Sequence, residues 1–245
     1  NLSPNYIQNV LDNNTEERGK ALIYANPFST TGGEFYSSFN RLKHVADLRY
    51  NPRLAIHITF DQNTVPYNTA LVWQIWKQGD NWICGCIDEI CLENPRNSTE
   101  EVCDEFIRRY PKHDAGLFYY GDAPGHNRST MSKDFKHHYQ IVAHKLRQYL
   151  NNASDRTLFV NPSLPKRRDF MNAIFEEKKS VRLLISETCK HTIADFMYVK
   201  QDKDGGKDKH IVTDPESGEK YQKYGHCSDA SDYLICELFK NYFNG

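Results

Sequence analysis

The chain has 245 residues and a formal net charge of −1, with 39% hydrophobic and 13% aromatic residues. That length allows one large domain, or a domain with an added segment, and the composition predicts a folded core. A mean hydropathy of −0.73 and the absence of any apolar run near the roughly 20 residues that span a bilayer argue against a membrane protein. The near-zero net charge does not by itself point to a nucleic-acid ligand.

The cysteines and the first residues indicate the cellular setting. Seven cysteines, an odd number without a secretory leader, predict a reducing compartment. Cys84 and Cys86 lie on the same face of a predicted strand, which favours burial as small hydrophobic groups over a zinc site. The sequence begins Asn1-Leu-Ser-Pro-Asn5, without Met or the features of a signal peptide, and we interpret it as a fragment of a longer protein.

The first half of the chain predicts a linker followed by an antiparallel sheet. Residues 1–50 contain too little apolar material for a domain of their own and predict a linker or tail. Residues 54–61, 70–77 and 82–92 predict three strands, because they are rich in β-branched and aromatic residues. The segment Gln78-Gly-Asp-Asn81 predicts the hairpin turn between the second strand and the third.

Helices and strands alternate in the middle of the chain. Ser98-Thr-Glu-Glu101 is a capping box that predicts the start of a helix, and Pro111 predicts its end. Residues 117–121 predict a fourth strand. The elements predicted after it are a helix over 133–150, a short strand over 157–160, a helix over 166–177, a strand over 180–186 and a helical turn over 188–196.

The last part of the chain predicts a hairpin arm and a final helix. Residues 197–225 are polar and charged, and Asp204-Gly-Gly206 predicts the tip of a hairpin between residues 197–200 and 210–213. Ser228 is a suitable N-cap for the final helix, whose apolar side chains are expected to point inward.

The order of these elements predicts the fold class. Three antiparallel strands, a helix and then alternating strands and helices is the order of a ribonuclease H-like α/β fold, with a central mixed sheet flanked by helices. In that fold the first and fourth strands lie side by side at the centre of the sheet, and a late helix crosses nearby.

Three aspartates occupy the strand ends and the helix start that meet in such a fold. Asp61 ends the first predicted strand, Asp122 ends the fourth, and Asp229 lies at the start of the final helix. One such aspartate alone is most often a turn former or a helix cap. Three converging carboxylates would repel one another unless a divalent cation lay among them, and hard oxygen ligands prefer Mg²⁺ or Mn²⁺. The sequence therefore predicts a site for metal-assisted phosphodiester hydrolysis.

The segments around the three acids carry a resemblance to a known family. They are Ile58-Thr-Phe-Asp-Gln-Asn63, Tyr120-Gly-Asp-Ala-Pro-Gly125 and Gly225-His-Cys-Ser-Asp-Ala-Ser-Asp-Tyr233. From about residue 50 to its end, the chain resembles the nuclease domain of the large terminase subunit of tailed bacteriophages, the ATP-driven motor that packages and cuts viral DNA.

The resemblance also predicts the division of the chain. Residues 1–50, which contain Leu2-Ser-Pro-Asn-Tyr6 and Gly33-Glu-Phe-Tyr36, resemble the stretch that joins the ATPase domain of this family to its nuclease domain. Residues 51–245 are then the ribonuclease H-like nuclease domain. The sequence contains no Gly-x4-Gly-Lys-[Ser/Thr] motif, so we expect no ATPase activity from it.

The resemblance implies roles for the residues of the site. Asp61 would bridge two divalent ions, Mg²⁺ or Mn²⁺, while Asp122 would complete one ion site and Asp229 the other. His226 would orient the nucleophile, move a proton or support a ligand. Asn63 is expected to support these groups. Asp232, three residues after Asp229 and on nearly the same helix face, is either an alternative third ligand or a supporting group. The predicted hairpin arm resembles the one that this family keeps near the active site.

The resemblance further implies cleavage of concatemeric double-stranded viral DNA with little sequence specificity. Basic side chains near the acids would hold the phosphate backbone without reading bases. The residues expected to do so are Arg128, Lys166, Arg167, Arg168, Lys207 and Lys209. The implied partners are DNA, the ATPase domain of the same full-length protein, the portal and the small terminase subunit, with no membrane. The implied location is the cytoplasm of a bacterial host, as a phage or prophage product.

Two other functions remain open from the sequence. One is a different ribonuclease H-like nuclease, such as a junction resolvase or a transposase core. The other is a non-catalytic docking module for the packaging machinery, with vestigial acids. The His-x-x-Asp spacing of His226 and Asp229 and the hairpin arm before it favour the terminase interpretation.

Overall fold

The computed structural model describes residues 33–63, 65–126, 137–213 and 218–243. Within them, a seven-stranded mixed sheet has the strand order β1-β7-β4-β3-β2-β5-β6. Its strands are β1 (Val45–Ala46), β2 (Ile56–Asp61), β3 (Asn68–Gln78), β4 (Asn81–Leu92), β5 (Leu117–Tyr120), β6 (Ser154–Asp155) and β7 (Val181–Ser186). Its helices are α1 (Arg41–His44), α2 (Thr99–Arg109), α3 (His138–Tyr149), α4 (Leu164–Phe175), α5 (Lys190–Tyr198), α6 (His226–Leu238) and α7 (Lys240–Phe243).

The predicted central pairing is confirmed. Strands β2, β3 and β4 form an antiparallel meander, and Gly79 provides the positive φ of +60° that the β3–β4 turn requires. Strand β5 pairs in parallel with β2, from Ile56 opposite Leu117 to Thr59 opposite Tyr120. The residues that follow these two strands therefore emerge at the same edge of the sheet, since parallel strands end at one edge.

Alternating side chains of the central strands fill two hydrophobic cores. Ile56, Ile58 and Phe60 of β2 belong to one core, which α2 and α3 cover. Trp73 belongs to the opposite core beneath α4, α5 and α6, and its indole N–H donates to the Thr59 hydroxyl at 3.2 Å. Fully burying a side chain of this size stabilises a fold by about 1.5–3 kcal/mol.

The described part of the predicted linker lies inside the same core. Phe35, Tyr36 and Phe39 are buried among the side chains of α4 and α5. Strand β1 continues the main sheet by pairing in parallel with β7. Residues 1–32 lie outside the described residues, and the domain boundary at residue 50 stays a prediction.

Three sequence predictions differ from the structure. The short strand over 157–160 is wrong: β6 lies earlier, and Asp155 ends it by accepting hydrogen bonds from the N–H and hydroxyl of Thr157. The final helix begins at His226 rather than at Ser228, because Gly225 takes the cap position with a φ of +106°. In place of the single predicted hairpin arm, the structure has two short antiparallel pairs of strands. Strand β8 (Lys200–Gln201) pairs with β9 (Lys207–Asp208), and β10 (Ile211–Thr213) pairs with β11 (Lys220–Gln222).

The remaining boundaries agree closely. Ser98 caps α2 by accepting from the Glu101 N–H, as the capping box predicts. The helix predicted over 133–150 is described from His138, and the start of that prediction falls in 127–136, outside the described residues. All seven cysteines are free, and Cys84 and Cys86 are buried as predicted. None of the described helices is long and apolar enough to cross a lipid bilayer.

A buried histidine makes stability depend on pH. His138 accepts or donates one hydrogen bond, with Thr99, and burial lowers the pKa of its ring to about 3. Since this folded pKa is below the ordinary 6.5, the stabilising contribution is complete above pH 6.5 and is lost as pH falls toward the folded pKa. Between pH 7.5 and pH 5.0, we expect His138 to lower the free energy of unfolding by about 2 kcal/mol, measured by urea titration.

The His138→Gln variant tests this expectation, because an amide does not titrate. The variant should lose that part of the pH dependence, measured as the difference between urea titrations at the two pH values. Equal pH dependence in parent and variant would contradict the assignment.

Candidate active site

Asp61 lies at the carboxyl end of β2 and is joined to two side chains. The Asn63 amide donates to Asp61 Oδ2 at 2.5 Å, and His226 Nδ1 lies 3.3 Å from the same oxygen. Asn63 Nδ2 is also 2.6 Å from His226 Nδ1. The predicted catalytic Asp61 and His226 and the predicted supporting Asn63 are thus brought together, although 165 positions separate the histidine from the aspartate.

The hydrogen bonds of His226 define the state of its ring. Nε2 lies 2.9 Å from the carbonyl oxygen of Gln222, and because a carbonyl only accepts, Nε2 carries a proton. In the neutral ring Nδ1 is therefore the acceptor, beside the negative charge of Asp61. Burial lowers the pKa of His226, but the hydrogen bond and charge of Asp61 outweigh it and raise that pKa overall. Nδ1 is the atom of this ring that can take up a proton.

Asp122 follows β5 in a tight turn. Its Oδ1 accepts from the Gly125 N–H and from the Tyr139 hydroxyl, both at 3.1 Å. Gly121 and Gly125 are required here, because a Cβ at either position would collide with the Tyr139 ring. Burial, then the charge of Asp61 and more weakly that of Asp229, raise the pKa of Asp122. The three predicted acids are therefore close enough to interact electrostatically.

Asp229 lies in the first turn of α6 and is surrounded by cations. Lys207 lies 2.8 Å and Arg167 3.3 Å from Oδ1, while Lys209 lies 2.5 Å from Oδ2. Burial alone would raise the pKa of Asp229, but these three charges outweigh it and hold that pKa well below its usual range. Asp229 is therefore an anion in the folded protein.

Asp232 shares the cations of Asp229 and is fully buried. Its Oδ2 lies 2.8 Å from Lys207 and 3.6 Å from Arg167, and its Oδ1 accepts from the Tyr36 hydroxyl at 2.9 Å. Lys207 also contacts the Ser228 hydroxyl at 3.2 Å and lies over the Tyr36 ring. Asp232 is thus part of a buried ionic network beneath the site.

The donor set fits divalent metal ions of the hard class. Asp61, Asp122 and Asp229 offer carboxylate oxygens at one edge of the sheet, and burial together with the charge of Asp61 raises the pKa of Asp122, which a bound cation would counteract. Asp61 and Asp122 would hold such an ion with their unengaged oxygens. Asp229 would also ligate through oxygens that Lys207 and Lys209 contact in this structure.

The carboxylate oxygens of Asp61, Asp122 and Asp229 do not all lie within 4.8 Å of one another in this structure. Within the described ranges, the one set of three His, Cys, Asp or Glu side chains whose ligand atoms lie within 4.8 Å of one another is Glu89, Cys91 and Cys227. Both oxygens of Glu89 accept from the first turn of α5, from the N–H groups of His191 and Thr192. Glu89 is therefore occupied as a helix cap.

Sequence reasoning missed a residue that positions the site. Asp195 of α5 is buried and accepts from the backbone N–H groups of Gly225 and Ser228, which fixes the start of α6. Burial raises the pKa of Asp195 to about 6 in spite of these bonds. An aspartate within a helix carries no sequence signal of such a role, because its partners lie about 30 residues away.

The predicted DNA contacts fall into different environments. Lys166 is exposed, and Arg168 is half-buried and paired with Asp169. Arg167 and Lys207 are buried in the ionic network, so neither guanidinium nor ammonium reaches the surface. Lys209 has a fifth of its side chain exposed beside Asp229, and Arg128 lies outside the described residues.

Known proteins resemble this chain in structure but not in sequence. No family model matches the sequence, and no curated protein matches it. The large terminase of a thermophilic bacteriophage superposes with a TM-score of 0.55 at 15% identity, covering 84% of this chain and 45% of that one. The nuclease domain of the P22 large terminase gives 0.51 at 10% identity, covering 86% and 94%.

A third structure, the nuclease domain of the SPP1 large terminase g2p with bound Mn, gives a TM-score of 0.46 at 15% identity, covering 80% of this chain and 95% of that one. The chain spans about half the length of the thermophilic phage terminase. At these identities the superpositions on the thermophilic phage terminase and on the P22 nuclease domain establish the fold alone. The chain has the ribonuclease H-like fold of the large-terminase nuclease domains, which it resembles in structure over most of its length.

Proposed function

We propose that this chain is a metal-dependent DNA endonuclease that cuts concatemeric double-stranded viral DNA during genome packaging. The observation that carries the proposal is the convergence of three aspartates: Asp61 ends β2, Asp122 follows the parallel neighbour β5, and Asp229 lies in the first turn of α6, whose His226 is 3.3 Å from Asp61. Carboxylates brought together in this way disfavour one another unless cations lie among them; Lys207, Lys209 and Arg167 supply that charge for Asp229, and a divalent ion would supply it for Asp61 and Asp122. The fold shared with the terminases of the thermophilic phage and of P22 supports the same conclusion.

In this proposal Asp61, Asp122 and Asp229 would hold two divalent ions, Mg²⁺ or Mn²⁺, through their carboxylate oxygens. Bound ions would activate a water molecule and stabilise the charge on the scissile phosphate and the leaving oxygen. His226 Nδ1 can take up a proton and then donate to Asp61, which orients that carboxylate, while Nε2 stays bonded to Gln222. Asn63 fixes both partners through its amide.

The proposed DNA contacts are the accessible cations. Lys166, Arg168 and Lys209 can reach phosphates, and Arg128 is added from the sequence. Arg167 and Lys207 instead hold Asp229 and Asp232 in place. Contacts to phosphate carry no base information, so this set predicts little sequence specificity.

The proposal extends to the assembly in which the domain would act. The partners would be double-stranded DNA, the ATPase domain of the same full-length protein, the portal and the small terminase subunit, in the cytoplasm of the bacterial host. This chain itself would hydrolyse no ATP, because it lacks the phosphate-binding motif.

Cleavage of supercoiled plasmid in Mn²⁺, Mg²⁺ or EDTA tests the proposal. We expect nicked and linear DNA with either metal and none with EDTA, together with a rise in Tm on adding Mn²⁺, since a ligand bound to the folded state stabilises it. Cleavage that persists in EDTA would overturn the metal mechanism. No cleavage and no Mn²⁺-dependent rise in Tm would favour a non-catalytic docking module.

A further inference from the structure

Two consecutive apolar side chains stand out from the surface in the loop between β6 and α4. Phe159 is 82% exposed and Val160 is 79% exposed. Single exposed apolar residues are common, but adjacent large ones form a projecting ridge that costs hydration free energy. We call these two residues the apolar ridge.

The ridge is attached to the loop that carries Asp122. On the side before it, the Leu158 N–H donates to the Gly121 carbonyl at 3.0 Å. On the side after it, Asn161 Oδ1 accepts from the Ala123 N–H at 2.9 Å. Both bonds end on direct neighbours of Asp122, so the ridge has a fixed place beside this acid.

The Phe159 ring is also held in a fixed orientation. It stacks on the His126 ring with a centroid distance of 4.8 Å and an interplanar angle of 11°. His126 in turn is bonded through Nε2 to the Thr157 hydroxyl at 3.0 Å. One face of the Phe159 ring is therefore covered by imidazole, and 82% of the residue is exposed, so the opposite face is accessible among the described residues. The ring can thus stack on a flat partner next to the candidate active site.

The surroundings of the ridge suit a polyanion. Along the chain, Arg156 lies three positions before Phe159 and Lys166 six positions after Val160, and both are exposed. The one exposed acid of this stretch, Asp155, is bonded to Thr157. Apolar side chains flanked by cations are the usual combination where proteins meet nucleic acid, because the cations bind phosphates while rings contact bases. A protein partner would need a larger apolar patch than two side chains offer.

We propose that Phe159 and Val160 form a wedge that enters the base stack of duplex DNA beside the scissile phosphate, with the open face of the Phe159 ring on a base. This inference rests on the proposed nuclease function and adds a determinant of where it cuts. Apolar wedges unstack neighbouring base pairs, and pyrimidine–purine steps unstack most easily. Cutting is therefore biased toward these steps through deformability, without any hydrogen bond to a base.

Fluorescence of 2-aminopurine tests insertion without requiring cleavage. The label is placed at a thymine–adenine step of a short duplex, and binding is followed in the Asp61→Asn background. We expect the fluorescence to rise when the Asp61→Asn protein binds. The Asp61→Asn, Leu42→Ala double variant is the control and should give the same rise, because Leu42 is equally exposed at 83% but lies near the opposite edge of the sheet. Adding Phe159→Ala to Asp61→Asn should abolish the rise and weaken binding about tenfold, whereas adding Phe159→Trp should preserve the rise and the affinity.

Mapping of cut sites on plasmid supplies the second measurement. The parent should cut preferentially at pyrimidine–purine steps, and Phe159→Ala should cut about tenfold more slowly with that preference lost. If the parent cuts and Phe159→Ala matches it in rate, preference and fluorescence, the wedge is wrong and the nuclease function stands. A fluorescence rise without cutting supports the wedge as a DNA-binding element and overturns the nuclease function. If there is neither a fluorescence rise with Asp61→Asn alone nor cleavage by the parent, both the wedge and the nuclease function are overturned.

Discussion

The Asp61→Asn variant is expected to cut plasmid DNA on the order of 10²–10³-fold more slowly than the parent in Mn²⁺ or Mg²⁺. Asparagine keeps the size of the side chain and one acceptor oxygen, but it removes the charge at the centre of the candidate site. It also removes the anion that raises the pKa of Asp122 and of His226. The initial rate of loss of supercoiled plasmid measures the effect.

Asp47→Asn is the matched control for this variant. Asp47 is an exposed aspartate paired with Arg49 at 3.1 Å, and surface pairs of this kind contribute little. We expect its cleavage rate to equal that of the parent. Thermal unfolding of all three proteins separates lost chemistry from lost folding. An Asp61→Asn protein that keeps half or more of the parental rate would contradict the assignment of Asp61 as the shared ligand.

Replacing Lys207 by Met is expected to lower the free energy of unfolding by about 3–5 kcal/mol. The Lys207 side chain is 1% exposed, and its ammonium lies 2.8 Å from both Asp229 and Asp232. Met fills a similar volume but leaves two buried carboxylates to share Arg167 and Lys209. Urea titration at neutral pH measures the loss, and Tm should fall by roughly 10 °C for a domain of this size.

Lys203→Met is the control, since Lys203 is exposed in the turn of the β8–β9 hairpin. Its effect should stay within about 0.5 kcal/mol. A double-mutant cycle with Asp232→Asn sharpens the test, because removing both members of a buried pair should cost less than the sum of the single changes. A Lys207→Met protein as stable as the control would show that the network does not hold the two acids.

The sequence was sufficient to place the three acids but not their cations. Strand order and strand ends are local patterns, so the sequence alone locates Asp61 and Asp122 at the ends of β2 and β5. A sequence also shows which residues are charged, but it does not show whether a charged side chain is buried. Arg167 and Lys207 were therefore predicted to contact DNA, whereas both are buried beside Asp229. Burial of a charged side chain depends on partners that are distant along the chain.

The error at residues 157–160 has a similar physical origin. Leu158-Phe-Val160 has the composition of a strand, and β-branched or aromatic content is the pattern that predicts one. Asp155 instead bonds its side chain to Thr157 and ends the strand two residues earlier. A side chain that competes for backbone hydrogen bonds thus overrides strand propensity, and the apolar residues are left on the surface.

The crossing of α6 over β2 has a consequence for biosynthesis. His226 meets Asp61 across 165 positions, and the third acid lies on the last long helix of the described chain. A ribosome-bound chain that has extruded every strand of the main sheet still lacks His226, Asp229 and Asp232. Its two strand-end acids have neither the helix nor the ion pairs that complete the site. Under the proposed nuclease function, a product that ends before α6 would therefore be unable to cut DNA, and activity would require that α6 has been made and has packed against β2.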